Sequence, residues 1–211
     1  MNVQAPAHRP HLACLVLAAG GSTRLGRPKQ LLRYGGRTLL ARAVAAGARH
    51  ATTPPVVVLG AERLRLRAML RREHVRCRVA VNARWREGMS SSLAAGIAAV
   101  PRAADGILVL LVDQPAVTAA TLVRLVAAWR RRPRVAAAAR YAGRVGVPAV
   151  LPRTLVREAK RTRGDVGARA LLRAQRTLTL VDMPEAAFDV DTEADAARLH
   201  GVRSGRADVR S

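Results

Sequence analysis

The sequence predicts an α/β domain in which a mostly parallel central sheet carries helices on both faces. Three apolar runs of strand length, Leu12–Ala18, 55–60 and 106–112, do not alternate with polar residues, which is typical of strands buried on both faces. Segments with helical spacing separate these runs, as they do in parallel βαβ arrangements. Half of the 211 residues are hydrophobic, which is sufficient for one sizeable core.

Strands and helices alternate through the first two thirds of the chain. Apolar residues recur at helical spacing after Thr38, which is a candidate N-cap. Ser90 can cap a later helix that Pro101 ends. Residues 106–112 give the strongest signal for a central strand because they are aliphatic almost throughout. The full prediction places strands over 12–18, 55–60, 76–81, 106–112 and 135–141, and helices over 38–50, 61–72, 90–100 and 118–131.

The order changes after Tyr141, because Gly143, Gly146 and Pro148 interrupt the alternation. We predict helices over 152–160 and 166–175, then a short strand over 177–181. The segment 188–191 precedes a last helix over 192–199. Residues 11–200 form one domain in this prediction, and the polar segments 1–10 and 201–211 are mobile tails.

Arginine dominates the charged residues. The chain has 37 Lys and Arg against 14 Asp and Glu, which gives a net charge of +23. This excess favours polyanionic partners, but the arginines are spread along the chain beside alanines, which also fits a compositional bias. We expect no specific nucleic-acid binding, since no zinc finger, aromatic RNA-binding motif or basic zipper region is present.

Targeting and redox features are sparse in the sequence. Residues 1–11 contain two prolines and no apolar segment of a secretory signal, and no apolar run approaches the roughly 18 residues of a membrane helix. We therefore expect a cytoplasmic protein without a membrane partner. Cys14 and Cys77 lie in apolar strands far apart in sequence, which predicts buried free thiols.

A glycine-rich loop follows the first strand and carries two cations, Arg24 and Lys29. Glycines let backbone amides approach a ligand, and successive amides can form a concave anion site, so the loop suits a polyphosphate. An ordinary turn with solvent-facing basic residues is the alternative. Ser22 and Thr23 interrupt the dinucleotide fingerprint, and the spacing of a P-loop lacks its Lys-Ser/Thr pair, so any phosphate loop here is of a third kind.

Carboxylates are scarce, so those next to apolar strands are candidate functional groups. Asp113 ends the strongest strand, at the edge of the sheet where ligands of open parallel sheets bind. Beside a polyphosphate it could hold Mg²⁺, or it could cap a turn or pair with an arginine. Asp191 could be a second metal ligand or the N-cap of the last helix. If 188–191 is a strand, Asp189 and Asp191 share one face.

Two further segments combine glycines with polar groups. Residues 82–93 offer amides and three serine hydroxyls at the start of a helix, either to a nucleotide or as a plain serine cap. Trp85 in this segment is expected to pack against the sheet. In the segment 164–169, Asp165 can cap a helix and Arg169 projects nearby one turn later.

Taken in order, these motifs resemble the molybdenum cofactor cytidylyltransferases of the MobA-like nucleotidyltransferase family. The resemblance covers nearly the whole chain, from about residue 12 to residue 199. The motifs that carry it are LAAGGSTRLG at 17–26, PKQLL at 28–32, the segment 82–93, DQP at 113–115, GVPA at 146–149, GDVGAR at 164–169 and DVDT at 189–192. The first motif marks the broad superfamily, and GMSSS with GDVGAR narrows it to the molybdopterin cytidylyl branch.

The resemblance implies a Rossmann-like fold and a Mg²⁺-dependent reaction that joins CMP from CTP to the phosphate of molybdopterin and releases pyrophosphate. Enzymes of this class hand their product to a molybdenum hydroxylase, which is a possible partner. The implied catalytic residues are Arg24, Lys29 and Asp113, and the implied metal ligands are Asp113 and Asp191. Implied nucleotide-binding residues are Ala18, Ala19, Gly20, Gly21, Ser22, Thr23, Arg24, Lys29, Asn82, Gly88, Ser90, Ser91 and Asp113. Implied acceptor-binding residues are Ser92, Gln114, Pro148, Gly164, Asp165 and Arg169.

Two other functions stay open at this stage. Guanylyl or cytidylyl transfer to another phosphate acceptor would use the same loop, metal and fold. An NAD(P)H-dependent reductase on the same scaffold is the second alternative, although the chain lacks the glycine fingerprint of a dinucleotide site.

Overall fold

A seven-stranded sheet with the order β5-β4-β1-β6-β8-β7-β9 forms the centre of the molecule. The structure is a computed structural model, and it describes residues 10–156 and 167–201. A separate hairpin, β2-β3, precedes the first helix. The strands are β1 (Leu12–Ala18), β2 (Arg33–Tyr34), β3 (Arg37–Thr38), β4 (Val56–Leu59), β5 (Arg78–Val81), β6 (Gly106–Leu111), β7 (Ala136–Tyr141), β8 (Arg144–Pro152) and β9 (Leu178–Asp182).

The sheet is mostly parallel, which confirms the predicted fold class. β1 pairs in parallel with both β4 and β6, β4 with β5, and β7 with β9. Only β8, among the strands of the described sheet, runs antiparallel to its neighbours. The carboxyl ends of β1, β4 and β6 therefore meet at one edge, where the loops that follow them can form a shared site.

Helices cover both faces of the sheet. Successive residues of β1 contribute to opposite cores: Cys14 and Val16 face one core, and Leu15 and Leu17 face the other. The first core packs against α1, α2 and α4, and the second against α3 and α5. The helices are α1 (Leu39–Ala48), α2 (Arg63–Arg72), α3 (Met89–Ala99), α4 (Ala119–Arg131), α5 (Gly167–Arg173) and α6 (Glu193–Gly201).

β8 is a long strand between β6 and β7 that the sequence prediction missed. Gly143 follows Ala142 in a turn with positive φ angles (68° and 45°), which reverses the chain into an antiparallel hairpin. Pro148 is tolerated because the pairing with β7 shifts register: Ala138 pairs with Ala149 but Ala139 pairs with Gly146. Val147 and Pro148 lie in this bulge, where a missing N–H breaks no ladder hydrogen bond.

Most predicted helices are present, with small shifts of their ends. Thr38 caps α1, since its side chain accepts a hydrogen bond from the Ala41 amide. The predicted cap Ser90 is wrong: α3 begins one residue earlier, Gly88 is its N-cap, and Ser90 is buried in the first turn. Residues 153–156 begin a helix where one was predicted over 152–160, and the rest of that segment lies outside the described residues.

A third, smaller core joins the glycine-rich loop to the end of the chain. Leu25 and Leu32 from the loop pack with Val190 and with Ala196 and Leu199 of α6. Residues 188–191 are irregular and do not form a strand, but the Val190 amide donates to the Asp113 carbonyl oxygen at 2.9 Å. This packing brings the acidic segment 189–191 next to the loop after β1.

Most of the two predicted tails, residues 1–9 and 202–211, lies outside the described residues. Gly201, the first residue of the predicted C-terminal tail, instead ends α6. Within the described segments, no helix is both long enough and apolar enough to cross a membrane.

Candidate active site

A cavity of about 570 Å³ opens at the carboxyl ends of β1 and β6. The loop after β1 forms one side of it, and the segment before α3 forms the other. Asp113 and Lys29 lie where these two sides meet the sheet. The lining residues are Leu17, Ala18, Ala19, Gly20, Gly21, Thr23, Lys29, Gln30, Trp85, Arg86, Gly88, Met89, Ser92, Leu111, Val112 and Asp113.

Lys29 connects two carboxylates that lie far apart in sequence. Its Nζ donates to Asp113 Oδ2 at 2.8 Å and to Asp191 Oδ1 at 2.6 Å. The lysine side chain is only 14% exposed. Burial alone would lower the pKa of Lys29, but the charges and hydrogen bonds of Asp113 and Asp191 outweigh it and raise that pKa above its ordinary value. Lys29 is therefore a fixed cation at the floor of the cavity.

Arg24 and Arg27 tie the same loop to the end of the chain from the solvent side. Arg24 donates to Asp191 Oδ2 at 2.7 Å, and Arg27 makes two hydrogen bonds of 2.8 Å to the carboxylate of Glu193. Partial burial opposes ionisation of Asp191, but Lys29 and Arg24 overcome this effect and lower the pKa of Asp191. The exposed Arg24 side chain can leave Asp191 for an incoming anion at small cost, because exposed ion pairs contribute little.

Gln30 holds the glycine-rich loop in shape. Its buried Nε2 donates to the carbonyl oxygens of Ala18 and Gly20, at 3.0 and 2.9 Å. Ser22 adopts a positive φ of 53°, and its Oγ accepts from the Lys29 amide at 3.1 Å. These contacts fold the loop back on itself and place Lys29 beneath it, so the loop is preorganised for a ligand.

Asp113 and Asp189 each have a buried carboxylate oxygen, Oδ1, without a hydrogen-bond partner. Hard oxygen donors of this kind suit Mg²⁺ or Mn²⁺, which keep several waters and take few protein ligands. Asp113 and Asp191 face the same ammonium group, so both lie within reach of one cation that replaces it. No group of three or more His, Cys, Asp or Glu in metal-binding geometry occurs in the described part of the chain. The arrangement thus fits a cation shared with a ligand better than a closed structural metal site.

Asp189 lies near these two carboxylates, and their negative charges change its pKa. Burial, followed by the negative charges of Asp113 and Asp191, raises the pKa of Asp189 to about 6. The nearby amide of Gln114 and the charge of Lys29 offset part of this effect. The sequence singles out Asp189 only as a neighbour of Asp191, and its folded environment is what distinguishes it.

The segment 82–92 contributes two kinds of residue. Gly88 and Ser92 line the cavity, whereas Asn82, Ser90 and Ser91 are buried and are not among its lining residues. Asn82 Nδ2 donates to the hydroxyls of Ser91 at 2.8 Å and Ser92 at 3.0 Å. Asn82 thus positions the lining serine, and its predicted contact with a nucleotide stays a prediction.

Three of the predicted acceptor residues, Gln114, Pro148 and Arg169, are not among the lining residues of the cavity. Gln114 is buried, and its Nε2 donates to the carbonyl oxygens of Val147 and Ala186, which anchors the turn after Asp113 to the bulge that contains Pro148. Arg169 is exposed in α5, and its Nε would lie 3.6 Å from a Cβ added to Gly146. Gly164 and Asp165 lie outside the described residues.

Seven lining residues are absent from the predicted set: Leu17, Gln30, Trp85, Arg86, Met89, Leu111 and Val112. Trp85 packs against the sheet as expected, since a Cβ on Gly60 would lie 2.6 Å from its Cβ. Its ring also borders the cavity, and the Arg86 guanidinium stacks on it at 4.5 Å. The side chain of Trp85 can therefore serve both packing and ligand contact.

Known proteins with similar sequences span almost the whole chain. Nicotine blue oxidoreductase from Paenarthrobacter nicotinovorans is 38% identical over 205 residues, which cover 90% of this chain and 97% of that protein. Two solved structures share the fold over at least 90% of this chain. The crystal structure of Rv0371c from Mycobacterium tuberculosis H37Rv is 33% identical, with a TM-score of 0.74 over 90% of this chain and 97% of that one. A nucleotidyl transferase from Methanothermobacter thermautotroptrophicus is 25% identical, with a TM-score of 0.73 over 92% of this chain and 99% of that one.

A second structure of Rv0371c was solved in complex with manganese, at 31% identity and a TM-score of 0.71 over 90% of this chain and 97% of that one. The family model for the MobA-like NTP transferase domain matches residues 14–180, which include the glycine-rich loop, Lys29 and Asp113. This chain belongs to the MobA-like NTP transferase domain family.

Proposed function

We propose that this protein is a nucleotidyltransferase that transfers CMP from CTP to the phosphate of molybdopterin and releases pyrophosphate. The observation that carries the proposal is the contact of Lys29 with both Asp113 and Asp191 on the floor of a cavity edged by a glycine-rich loop. Membership of the MobA-like NTP transferase family supports nucleotidyl transfer as the class of reaction. The proposal adds two assignments to this class of reaction: CTP as the nucleotide and molybdopterin as the acceptor.

The cavity offers one region for phosphates and another for flat, apolar groups. Gly20, Gly21 and Thr23 line the cavity together with Lys29. Leu17, Leu111, Met89 and Trp85 provide apolar walls. A triphosphate near the loop and a base or pterin ring between the walls would each meet groups of matching polarity.

The proposed reaction needs positioning and charge neutralisation more than a strong base. An oxygen of the acceptor phosphate forms a bond to the α-phosphorus of CTP, and the bond from that phosphorus to the β-phosphate oxygen breaks. The electron pair leaves with pyrophosphate, and no proton has to be removed from an acceptor that is already anionic. Lys29 and Arg24 would offset the charge that builds on the leaving group.

Asp113 and Asp191 are the residues that would hold a divalent cation, with Mg²⁺ the proposed ion. When bound, such an ion neutralises phosphate oxygens and orients them for in-line displacement. With such an ion in place, Lys29 would have to release at least one of its two carboxylates, since Asp113 and Asp191 both accept hydrogen bonds from its ammonium. The released ammonium would be free to contact the triphosphate.

The test incubates the purified protein with Mg²⁺, molybdopterin and either CTP or GTP. The quantity measured is the pyrophosphate released from the nucleotide. Release with CTP that depends on the pterin supports the whole proposal. Release with GTP alone would keep the class of reaction and replace the nucleotide. A panel of other phosphate monoesters would show whether a different acceptor takes the place of the pterin.

A second candidate function is an NAD(P)H-dependent reductase. It is favoured by the 38% identity to nicotine blue oxidoreductase over nearly the whole of both proteins. The proposed site favours it less, because hydride transfer has no need for two carboxylates around a buried lysine. Oxidation of NADH or NADPH in the presence of nicotine blue would identify a reductase. The loss of absorbance of the reduced nicotinamide measures this oxidation. Absence of oxidation together with pyrophosphate release would exclude it.

A further inference from the structure

A second cavity, of about 320 Å³, lies between α1 and the start of α4, on the side of the β2-β3 hairpin. Three arginines line it, and neither Asp nor Glu is among its lining residues within the described chain. We propose that this cavity binds a phosphate-type oxyanion at a site separate from the proposed active site. The residues that carry the proposal are Arg37, Arg42, Arg49, Val117, Thr118 and Ala119.

Arg42 is held rigidly in the wall of this cavity without an acidic partner. Its guanidinium donates to the carbonyl oxygens of Tyr34 at 3.4 Å and Pro115 at 3.2 Å, and it stacks on the Tyr34 ring at 4.6 Å. Its Nε is buried and has no hydrogen-bond partner. Carbonyl dipoles satisfy N–H groups but do not neutralise a charge, so an anion in the cavity would be stabilised by this fixed guanidinium.

Arg37 and Arg49 add two exposed cations at the edges of the same cavity. Among the residues that the structure describes, neither forms an ion pair, whereas Arg24, Arg27, Arg33, Arg84, Arg124 and Arg140 each contact a carboxylate. Forked guanidinium groups on two sides of a small cavity match the geometry of phosphate oxygens. General enrichment in arginine does not by itself place three of them around one cavity that lacks acidic residues.

The start of α4 supports the same class of ligand. Thr118 is its N-cap, and the Thr118 hydroxyl accepts from the Thr121 amide. Thr118 and Ala119, at the start of this 13-residue helix, line the cavity, and helix N-termini favour negative charge. The apolar remainder of the lining, which includes Val117, suits an oxyanion attached to a small organic group as well as free phosphate.

The test is an NMR titration of the isotope-labelled full chain with inorganic phosphate. The amide resonances of residues 117–119 report binding. Potassium chloride at matched ionic strength is the salt control. We expect saturable shifts with phosphate and none with chloride. The double variant Arg37→Ala/Arg49→Ala should weaken binding roughly tenfold, which corresponds to the loss of about 1.4 kcal/mol of charge-assisted contact. Both side chains are exposed, so their removal leaves the core packing intact.

Two controls separate this site from general charge and from the proposed active site. Arg67→Ala removes an exposed arginine on α2 that does not line the cavity, and it should leave the titration unchanged. Lys29→Ala and Arg24→Ala, each checked for a dispersed spectrum, should also leave the shifts of 117–119 in place. Non-saturable shifts, equal weakening by Arg67→Ala, or loss of the shifts in the two active-site variants would overturn the proposal.

Discussion

Replacement of Lys29 by alanine is the perturbation whose consequences follow most directly from the site. It removes two ion pairs, of 2.8 Å to Asp113 and 2.6 Å to Asp191, from a region where the three side chains are 14%, 19% and 31% exposed. Such pairs lie between the surface class, worth up to about 1 kcal/mol, and buried pairs, whose disruption costs about 3–5 kcal/mol. We therefore expect Lys29→Ala to lower the free energy of unfolding by about 2 kcal/mol.

The effect of this substitution on catalysis should exceed its effect on folding. Loss of one well-placed electrostatic contact to a transition state lowers turnover by about a hundredfold or more. That factor corresponds to about 2.7 kcal/mol of transition-state stabilisation. The assay measures pyrophosphate release at saturating CTP and Mg²⁺, and urea denaturation measures stability on the same samples.

Arg27→Ala is the matched control for Lys29→Ala. It removes one positive charge from the same loop, but its partner Glu193 is exposed and neither side chain lines the cavity. Arg27→Ala should cost less than about 1 kcal/mol in stability and leave turnover within about twofold of wild type. Equal turnover in wild type and Lys29→Ala would refute a catalytic function for Lys29. Equal losses of turnover in Lys29→Ala and Arg27→Ala would show that the net charge of the loop, and not a specific contact of Lys29, causes the loss.

Three further substitutions test other parts of the site. Asp113→Ala should nearly abolish turnover in a folded protein, whereas Asp182→Asn, at an exposed ion pair that does not line the cavity, should not. Near-normal turnover of Asp113→Ala at saturating Mg²⁺ would contradict the metal assignment. Gln30→Ala should destabilise the protein by about 1–2 kcal/mol and weaken nucleotide binding, because the carbonyl oxygens of Ala18 and Gly20 lose their donor. Urea denaturation measures the first effect and calorimetry the second. Asp189→Asn should make metal-free protein more stable than wild type by about 1 kcal/mol near neutral pH, and equal stability there would argue against a perturbed carboxyl.

The pH dependence of the Asp189 effect has a definite sign. The pKa of this carboxyl is raised from an ordinary value of 3.8 to about 6 in the folded protein, so below about pH 3 it is protonated in both states. Between these two values the unfolded chain loses the proton first, and the folded state becomes relatively less stable as pH rises. The difference between Asp189→Asn and wild type should therefore be absent near pH 3 and complete above about pH 7, in urea denaturation with EDTA present.

The sequence predicted the parallel part of the sheet well because those strands are continuous apolar runs. It missed β8 because Gly143, Gly146 and Pro148 are typical of turns. The structure uses one of these glycines in a hairpin turn and accommodates the proline in a bulge opposite Ala138 and Ala139. A bulge depends on the partner strand, so no local pattern in 144–152 could reveal it.

For the site, the sequence identified the charged residues but not all of their contacts. Arg24, Lys29, Asp113 and Asp191 meet as the motifs suggest, although Asp191 remained open between metal ligand and helix cap. The structure resolves the cap: Thr192 and Asp195 exchange hydrogen bonds at the start of α6, which leaves Asp191 to face Lys29. The contacts of Arg24 and Lys29 with Asp191 span more than 160 positions in sequence. They depend on the packing of Leu25 and Leu32 against Val190 and α6.

The most direct test of the proposed activity follows the fate of CTP labelled at its α-phosphorus. Wild-type protein with Mg²⁺ and molybdopterin should move the label to the pterin product, with one pyrophosphate released for each label transferred, and Asp113→Ala should move none. Label that stays in CTP, while the same preparation oxidises NADH or NADPH in the presence of nicotine blue, would contradict nucleotidyl transfer and establish the reductase.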